Sequence, residues 1–595
     1  MCVPPTVSPA PDAKSTFWRT WCISAVCTLL VLATCTHPAT MQRAHSHIEA
    51  LHKIATDDES RRAAWNNGVE RASLLAIFLA DVRIHLLSPF LQFCVGVLAL
   101  LSALVASDRL FHCYTALYWR YFARTKALER FKYTAIQRVD KTTTFDDVCH
   151  PTVVIQLPMF NETDVCQHVI YCASEIEWPR SKLLIQILDD STCKETRAAI
   201  AEAVEELQER GLNVQYRWRS NRTGYKAGAM HEAMDDIVDY DYICIFDADF
   251  SPEPDFLYKT IPWIHSNPQC GFVQARWTYA NESENLLTRV QTISLNYHIR
   301  CEQYARFSAN LFFNFNGTAG VWRRTCIIDS GGWNHRTTVE DLDLSLRAYL
   351  RGWKFIFLDD VTCLNEIPAQ YDAYRKQQHR WSAGPMQLWR QCTAAVWAAD
   401  IPLSSKLYLN FFFFFTRQMS THLVSFFFYC VLIPLCAVAP EIYLPFWALV
   451  YAPILVTLST VAWTPNGIFY AMPYVLFENA MCIVKLSAML AGLFELEQAG
   501  EWVVTTKIGK WVAAKVEKAR NIKLVKKIAE KRRERPIHWK ELAMGTFFAA
   551  CGIWGIIVHA MVGYSIFLLL QAVVFLTFGL NYVDGIFASS HAHAA

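Results

Sequence analysis

Two aspartates one residue apart, Asp247 and Asp249, follow directly on the apolar run YICIF; Phe250, Ser251, Pro252 and Pro254 then stop that run. Paired hard oxygen donors at a strand mouth suit a divalent cation, Mg2+ or Mn2+, which keeps several waters and shares itself with substrate phosphates. The chemistry this predicts is a metal steadying a diphosphate as it departs. A bare Asp-x-Asp is equally an ordinary surface turn, so its place at the end of a strand is what gives it weight. No Gly-x-x-x-x-Gly-Lys-Ser/Thr loop occurs, which excludes the phosphate chemistry of a P-loop ATPase.

Three further stretches carry reactive groups. In NRTGYKAGAMHEAM (221–234), Lys226 precedes a helix-like stretch and offers a cation to a phosphate or ribose, or is an ordinary surface lysine. In RTTVEDLDLSLRAYLRGWKF (336–355), Thr337 or Thr338 can cap a helix whose first turn holds Glu340, Asp341 and Asp343. Those acids complement the positive helix end; one of them can also serve as general base to an acceptor hydroxyl. In YRKQQHRWSAGPMQLWR (374–390), amide, guanidinium and indole groups crowd together. Indole faces stack on sugar rings and Arg pairs with phosphate, while the same residues suit an amphipathic helix at a membrane surface.

Elements able to position these groups are legible. TVVIQLPMF (152–160), KLLIQILDD (182–190), LNVQYRWR (212–219) and DYICIFDADF (241–250) read as strands, with a helical stretch over 194–210. Such alternation predicts a mostly parallel sheet covered by helices. Ligands of such sheets bind beyond the carboxyl ends of the strands. Asn161 and Glu162, Asp189 to Ser191, and Asp247 to Asp249 are expected there together.

The chain of 595 residues is too long for one core. Its net charge of +2 gives no field that would favour nucleic acid. Twenty cysteines include no Cys-x-x-Cys, which argues against a zinc ribbon or a thioredoxin-type site, and those in apolar runs read as small buried hydrophobes. Residues 84–106, 421–439, 443–462, 542–562 and 564–583 are apolar enough to span a bilayer. So is 468–494, interrupted by Glu478 and Lys485, which are expected to face protein or water. FWRTWCISAVCTLLVLATC near the N-terminus reads as a signal anchor, with a cleaved signal peptide as the alternative. Residues 503–540 hold thirteen Lys/Arg against three Glu, which predicts a cytosolic loop able to meet anionic lipid.

The order of these pieces resembles the inverting family 2 glycosyltransferases, specifically the membrane synthases of the cellulose synthase superfamily and their cellulose synthase-like A and C groups. GYKAGAM, IFDADFSPEPDFL, FNGTAGVWR, TTVEDLDLSLRAYLRGWKF, KQQHRWSAGPMQLWR and GEWVVTTK carry the resemblance over roughly residues 150–510. It implies an α/β cytosolic glycosyltransferase of GT-A type, with a Rossmann-like, mostly parallel sheet, inserted between transmembrane α-helices. It implies a nucleotide-sugar site of Asn161, Glu162, Asp189, Asp190 (near uracil), Lys226, Asp247 and Arg380, and a metal held by Asp247 and Asp249. It implies Asp341 as the catalytic base, and acceptor contacts from Phe315, Asn316, Gly317, Thr318, Glu340, Gln377 and Trp381. Val339 stands where the family's wider motif has Thr.

The activity so implied is polymerisation of a β-1,4-linked mannan or glucomannan backbone from GDP-mannose and GDP-glucose. The alternative is a β-1,4-glucan of the xyloglucan-backbone type, made from UDP-glucose. The growing β-1,4-glycan is the acceptor, the lipid bilayer the surroundings, and a homo-oligomer a further expectation. A lipid-directed transferase lacks the long matching strings, and a channel does not need these acids together with Arg380. The layout expected is an N-terminal region with an anchor (1–83), a span (84–106), the cytosolic catalytic domain with interfacial helices (107–407), spans (408–502), the basic loop (503–541), a helix pair (542–583) and a tail (584–595). A multi-pass protein of the Golgi membrane, with its catalytic domain cytosolic, is expected. Four Asn-x-Ser/Thr sequons, at Asn161, Asn221, Asn281 and Asn316, then read as coincidental.

Overall fold

The computed structural model describes residues 81–123, 126–139, 150–163, 165–496, 536–559 and 562–586. The expected N-terminal anchor, nearly all of the basic loop and the GEWVVTTK string lie outside the described residues.

At the centre is an eight-stranded sheet of order β3-β2-β1-β4-β7-β6-β8-β5. The strands are β1 Val153–Met159, β2 Leu183–Asp189, β3 Val214–Trp218, β4 Tyr242–Ile245, β5 Phe250–Ser251, β6 Cys270–Tyr279, β7 Gly320–Arg323 and β8 Lys354–Asn365. The first four are the strands read from sequence, each trimmed by a residue or more. Residues 241–250 divide into β4 and β5, because the two aspartates occupy a turn between them. Strand β7 runs antiparallel to β4 and β6, and β5 antiparallel to β8; the other neighbours pair in parallel.

The neighbouring inner strands β1 and β2 are buried along their whole length, as expected of parallel strands covered on both faces. Their only amide side chains satisfy one another across the sheet. Gln156 Nε2 donates to Gln186 Oε1 at 2.9 Å, and Gln186 Nε2 to Gln215 Oε1 at 2.8 Å, which offsets most of the cost of burying these amides, although Gln156 Oε1 accepts no hydrogen bond.

Helices α1 Cys166–Ser174, α2 Lys194–Glu209, α3 Tyr225–Glu232, α4 Phe256–His265, α5 Leu286–Asn296, α6 Glu340–Leu350 and α7 Tyr371–Ala398 surround the sheet. Helix α2 is rich in Ala and Glu, good helix formers, and buries Thr196, Ile200, Ala203, Val204 and Leu207 as one stripe. Asn285 caps α5 in a reciprocal box with Thr288.

Among the described residues, five helices are long and apolar enough to cross a membrane: Arg83–Tyr121, Leu403–Leu435, Gly467–Phe494, Trp539–Val558 and Val562–Gly579. Trp447–Val461 is apolar but shorter. The first runs well past the expected span end at 106, so the boundary drawn at 107 falls inside one helix; the boundary at 408 likewise falls inside Leu403–Leu435. Gly467–Phe494 lies alongside α7, with the Phe477 ring 5.4 Å from Tyr374. The two backbones meet at Gly492, where a β-carbon would stand 2.1 Å from the carbonyl oxygen of Ala383.

Candidate active site

Strands β1 to β4, β6 and β8 run the same way, so their carboxyl ends and the amino end of the opposed β7 meet at one edge. A cavity opens there. It is walled by Glu162 after β1, Asp190 after β2, Arg222 after β3, Asp247 and Asp249 after β4, Asn316 and Gly317 before β7, and Glu366 after β8. Lys226 of α3, Glu340 and Asp341 of α6, and Gln377, Arg380 and Trp381 of α7 complete it. Groups more than two hundred residues apart in the chain thus share one cleft.

The end near β1 to β3 is built around Asp190. Arg219 grips its carboxylate twice, Nε to Oδ1 at 2.5 Å and Nη2 to Oδ2 at 2.7 Å. Arg219 also donates to Glu232 at 2.8 Å and to the carbonyl of Tyr225 at 2.7 Å. Burial pushes the Asp190 carboxyl up, and Arg219 pulls it partly back. Beside it the Arg222 guanidinium lies 3.4 Å from the Phe160 ring centre and 4.9 Å from that of Tyr225, a flat cationic surface on aromatic support.

Two expected residues of this end do not reach the cavity. Asn161 has φ +53°, and its side-chain oxygen accepts the N–H groups of Thr192 and Cys193, each at 2.9 Å. Asp189 is buried, accepting the Ser191 N–H and the Tyr216 hydroxyl, both at 2.8 Å. Both brace the loops that carry Glu162 and Asp190, because their oxygens are taken by local backbone N–H groups and, for Asp189, the Tyr216 hydroxyl.

At the cavity floor Lys226 Nζ donates to Asp247 Oδ1 at 2.5 Å and to the carbonyl of Gly317 at 2.9 Å. Burial pulls this ammonium down, but Asp247, Glu340 and Asp341 outweigh it and hold it above the ordinary lysine range. Gly317 has φ +82°, and a β-carbon on it would sit 3.2 Å from Asp341 Oδ2, so the FNGT turn passes directly against that carboxylate. The other members of the turn divide. Phe315 is core, packed on Phe272 and Trp322 at 5.5 and 5.4 Å, and is not free to touch an acceptor. Thr318 is buried, its hydroxyl accepting the Asp247 N–H at 2.9 Å. Asn316 pairs amide to amide with Gln303, at 2.6 and 2.9 Å.

Helix α6 presents Glu340 and Asp341 in its first turn without the expected threonine cap; the cap position is Val339 and no side chain caps it. Asp341 Oδ1 instead accepts the Leu342 N–H at 2.8 Å. Asp343, the third acid, turns away and is buried between Arg347, at 2.9 Å, and Arg336. Burial raises the Asp341 carboxyl above the ordinary aspartate range, against the pull of the Leu342 N–H, Lys226 and Arg380. Burial and then the Asp341 charge raise Glu340 as well. Burial lowers Arg380, and Glu340, Asp247 and Asp341 restore part of its hold on the proton.

Gln377, Arg380, Trp381 and Gly384 fall at i, i+3, i+4 and i+7 of α7, one face of a helix. That face meets the Val339–Asp341 turn. Asp341, Gln377 and Trp381 also wall a second cavity, which continues among apolar helices past Tyr474, Glu478, Lys485, Arg417 and His422. Glu478 and Lys485, expected to avoid lipid, pair at 2.5 Å and face this cavity. Residues at the site that sequence reading missed are Phe160, Arg219, Arg222, Trp277, Gln303 and Glu366. Arg219 and Arg222 follow the third strand, at an edge whose signal in the sequence is its acids rather than its cations.

Among the described residues no group of three or more His, Cys, Asp or Glu side chains forms a protein-only metal site. Asp247 and Asp249 share the cavity wall, and two carboxylates completed by substrate phosphates are what Mg2+ or Mn2+ commonly takes. The donor set fits such a cation.

The profile described as "Glycosyl transferase family group 2" matches residues 242–465, and "Glycosyl transferase family 2" matches residues 154–327. The Arabidopsis thaliana protein named glucomannan 4-beta-mannosyltransferase 7 is 37% identical over 510 residues, covering 84% of this chain and 88% of its own length. Glucomannan 4-beta-mannosyltransferase 2 of the same plant is 39% identical over 511 residues, covering 84% and 93%. Among solved structures, the mannosyltransferase PcManGT from Pyrobaculum calidifontis, in complex with GDP-Man and Mn2+, is 17% identical with a TM-score of 0.40, over 66% of this chain and 99% of that one. That likeness is too loose to carry weight.

Proposed function

The chain belongs to the family 2 glycosyltransferases and, within them, to the cellulose synthase-like group that includes the glucomannan 4-β-mannosyltransferases, and from that membership we propose how its residues work. It is a GT-A enzyme that polymerises a β-1,4-linked mannan or glucomannan backbone. The donor we propose is GDP-mannose, with GDP-glucose for a mixed chain. The relatives' names favour this over the glucan reading.

Asp341 takes the proton of the acceptor's 4-hydroxyl, and that oxygen attacks the anomeric carbon of the donor sugar. A single displacement inverts an α-linked donor to a β-linked product. Glu162, Asp190 and the Arg222 face hold the nucleotide. Lys226 and Arg380 offset the charge that grows on the departing diphosphate. Asp247 and Asp249 hold the divalent cation, which when bound supplies further positive charge to the same phosphates. Trp381 and Gln377 hold the chain end, and Glu340 and the Asn316–Gly317 turn border it.

One observation carries the reading: Asp341 lies in the wall common to the cleft at the strand ends and the cavity that continues among the apolar helices. A base at that junction serves a donor arriving from one side and a chain leaving by the other. The expected layout stands as part of the proposal, with its first boundary moved to the end of helix Arg83–Tyr121. We read the home as the Golgi membrane, with the cleft in the cytosol.

Membranes containing the protein should convert GDP-mannose to a polymer that β-1,4-mannanase digests, and add glucose when GDP-glucose is present. A β-1,4-glucanase-sensitive product made from UDP-glucose alone would overturn the donor assignment.

A further inference from the structure

Two guanidinium groups pair with a single carboxylate beside the apolar helices, away from the cleft, and a third lies within their electrostatic reach. Arg120 Nη1 pairs with Asp359 Oδ2 at 2.8 Å, and Arg276 Nε stands 3.8 Å from Asp359 Oδ1. Arg300 joins them: its carbonyl accepts from Arg120 Nη2 at 3.2 Å, and its own Nη1 donates to the carbonyl of Trp463 at 2.8 Å. Arg120 is sandwiched between the rings of Tyr304 and Trp463, at 4.8 and 5.7 Å. Asp359 is the one acid in ion-pair contact with any of the three among the described residues. Three positive charges thus face one negative charge. The Nε–H donors of Arg120 and Arg300 are buried with no hydrogen-bond acceptor, while the unfilled Arg276 Nε–H stands 3.8 Å from the likewise unfilled Asp359 Oδ1. The strain registers on Arg300, whose guanidinium is lowered by burial and then by Arg276, with Asp359 only partly compensating.

The depth of the cluster follows from pairings along helix Ser88–Tyr121. Gln92 clamps the backbone of Tyr443 at 2.8 and 3.1 Å, at one end of the apolar helix Trp447–Val461. Cys113 meets the carbonyl of Ser459 at 3.5 Å, at its other end. The 21 helical rises from Gln92 to Cys113 span about 32 Å, close to the thickness of a bilayer's hydrocarbon core. Arg120 is two turns further, about 10 Å beyond, at headgroup depth. On the open side of the same stretch Tyr114, Leu117, Tyr118, Tyr121 and Phe122 are exposed, the last two at 72% and 82%. Aromatic rings of this kind concentrate at the membrane–water interface.

We propose that Arg120, Arg276 and Arg300 form a binding site for the phosphate of an anionic phospholipid at the edge of the bilayer facing the catalytic domain, with its glycerol and the first carbons of its acyl chains passing Tyr118 and Tyr114 toward the bilayer core. The phosphate supplies the negative charge that Asp359 leaves short, and its oxygens accept from the guanidinium forks. The site is separate from the donor cleft: Trp277 faces the cleft, and its neighbour Arg276 points to the opposite face of β6.

The full-length protein in nanodiscs, exposed to phosphatidic acid carrying a photoreactive acyl chain, should label peptides spanning residues 114–122 and Trp463. The matching phosphatidylcholine probe should label them several-fold less. Arg276→Gln and Arg300→Gln should each cut the labelling roughly fivefold, while Arg276→Lys, which keeps the charge, should retain most of it. Labels on residues 503–540 are counted separately, since that basic stretch attracts anionic lipid by itself. Equal labelling by the two probes, or labelling unchanged in both Gln variants, would overturn the proposal. So would displacement of the probe by millimolar inorganic phosphate, which would assign the arginines to a soluble anion.

Discussion

Gly384 of α7 lies against Val339, the residue just ahead of Glu340 and Asp341, so closely that a β-carbon at 384 would come within 2.4 Å of Val339 Cγ1. The helix carrying Gln377, Arg380 and Trp381 is therefore keyed directly to the turn carrying the base. Gly384→Ala should push the two apart. Overpacking of this kind costs about 1–3 kcal/mol, and displacing a base by an ångström costs about a hundredfold in rate. Polymer synthesis should fall at least tenfold while GDP still binds, and Val339→Ala in the same chain should restore much of the loss. Full activity in Gly384→Ala would show that the contact does not set the geometry.

Asp341 must be ionised to accept a proton, yet burial raises its carboxyl above the ordinary range. The rate should therefore fall as pH drops through that raised value, and the acid limb of kcat/KM should lie clearly above about 4, the usual aspartate value. Glu340 next to it is raised too, so the limb belongs to the pair. Asp341→Asn should abolish polymer formation and leave GDP affinity within a few-fold. An acid limb at the usual aspartate value would argue that another group is the base.

Arg219 and Asp190 form a two-point ion pair in which neither side chain is more than 9% exposed. Removing one partner of such a pair leaves a buried charge alone, typically at about 3–5 kcal/mol. Arg219→Gln should let Asp190 take up a proton, lower the melting temperature and weaken GDP binding by at least about tenfold. Arg219→Lys should rescue only part, since an ammonium does not reproduce the fork. Unchanged GDP affinity in both variants would remove Asp190 and Arg219 from the nucleotide site.

Much of this site was legible because parallel strands announce themselves. Buried strands read as unbroken apolar runs, and the acids at their ends could be picked out as one group. Strands β6 to β8 were not read: β7 is four residues long, and β6 and β8 pair across a bulge between Ala275 and Arg276. Nor could spacing tell a side chain that faces a ligand from its neighbour that holds the loop. Asp189 and Asp190 look alike in sequence, but one is spent on the Ser191 N–H and the Tyr216 hydroxyl and the other borders the cavity. Asp343 looked like a helix-dipole acid because its partner Arg336 belongs to the loop before the helix. The length of helix Ser88–Tyr121 was hidden because the strongly apolar run ends at residue 106, whereas the helix continues through polar and aromatic residues to Tyr121.

Asp249 shares the cavity wall with Asp247, which already answers to Lys226. With one of its oxygens on Lys226, Asp247 has less to offer a cation than it would alone, and on the proposed assignment Asp249 takes the larger share of the metal. Asp249→Asn should abolish GDP-dependent Mn2+ binding seen by electron paramagnetic resonance and reduce polymer synthesis by at least about a hundredfold. Asp247→Asn should leave weakened Mn2+ binding. Removing divalent cations with a chelator should stop synthesis, and adding Mn2+ or Mg2+ should restore it. Activity that survives chelation would set the metal aside.

Trp381 walls both the cleft and the cavity beyond it, at the point where a chain end must stand to reach Asp341. An indole there offers a flat apolar face to a sugar ring, a contact on the order of the 0.5–1.5 kcal/mol that aromatic rings contribute beyond the area they bury. A hold of that size positions a chain end without arresting its advance. Trp381→Ala should thus cost polymer synthesis about tenfold or more and shorten the products, because chains dissociate before the next addition. Trp381→Phe keeps an aromatic face and should recover a substantial part of both. GDP affinity should be unaffected by either change. If product length is unaltered in Trp381→Ala while GDP binding falls, the residue belongs to the donor side of the cleft, and the acceptor path must run elsewhere.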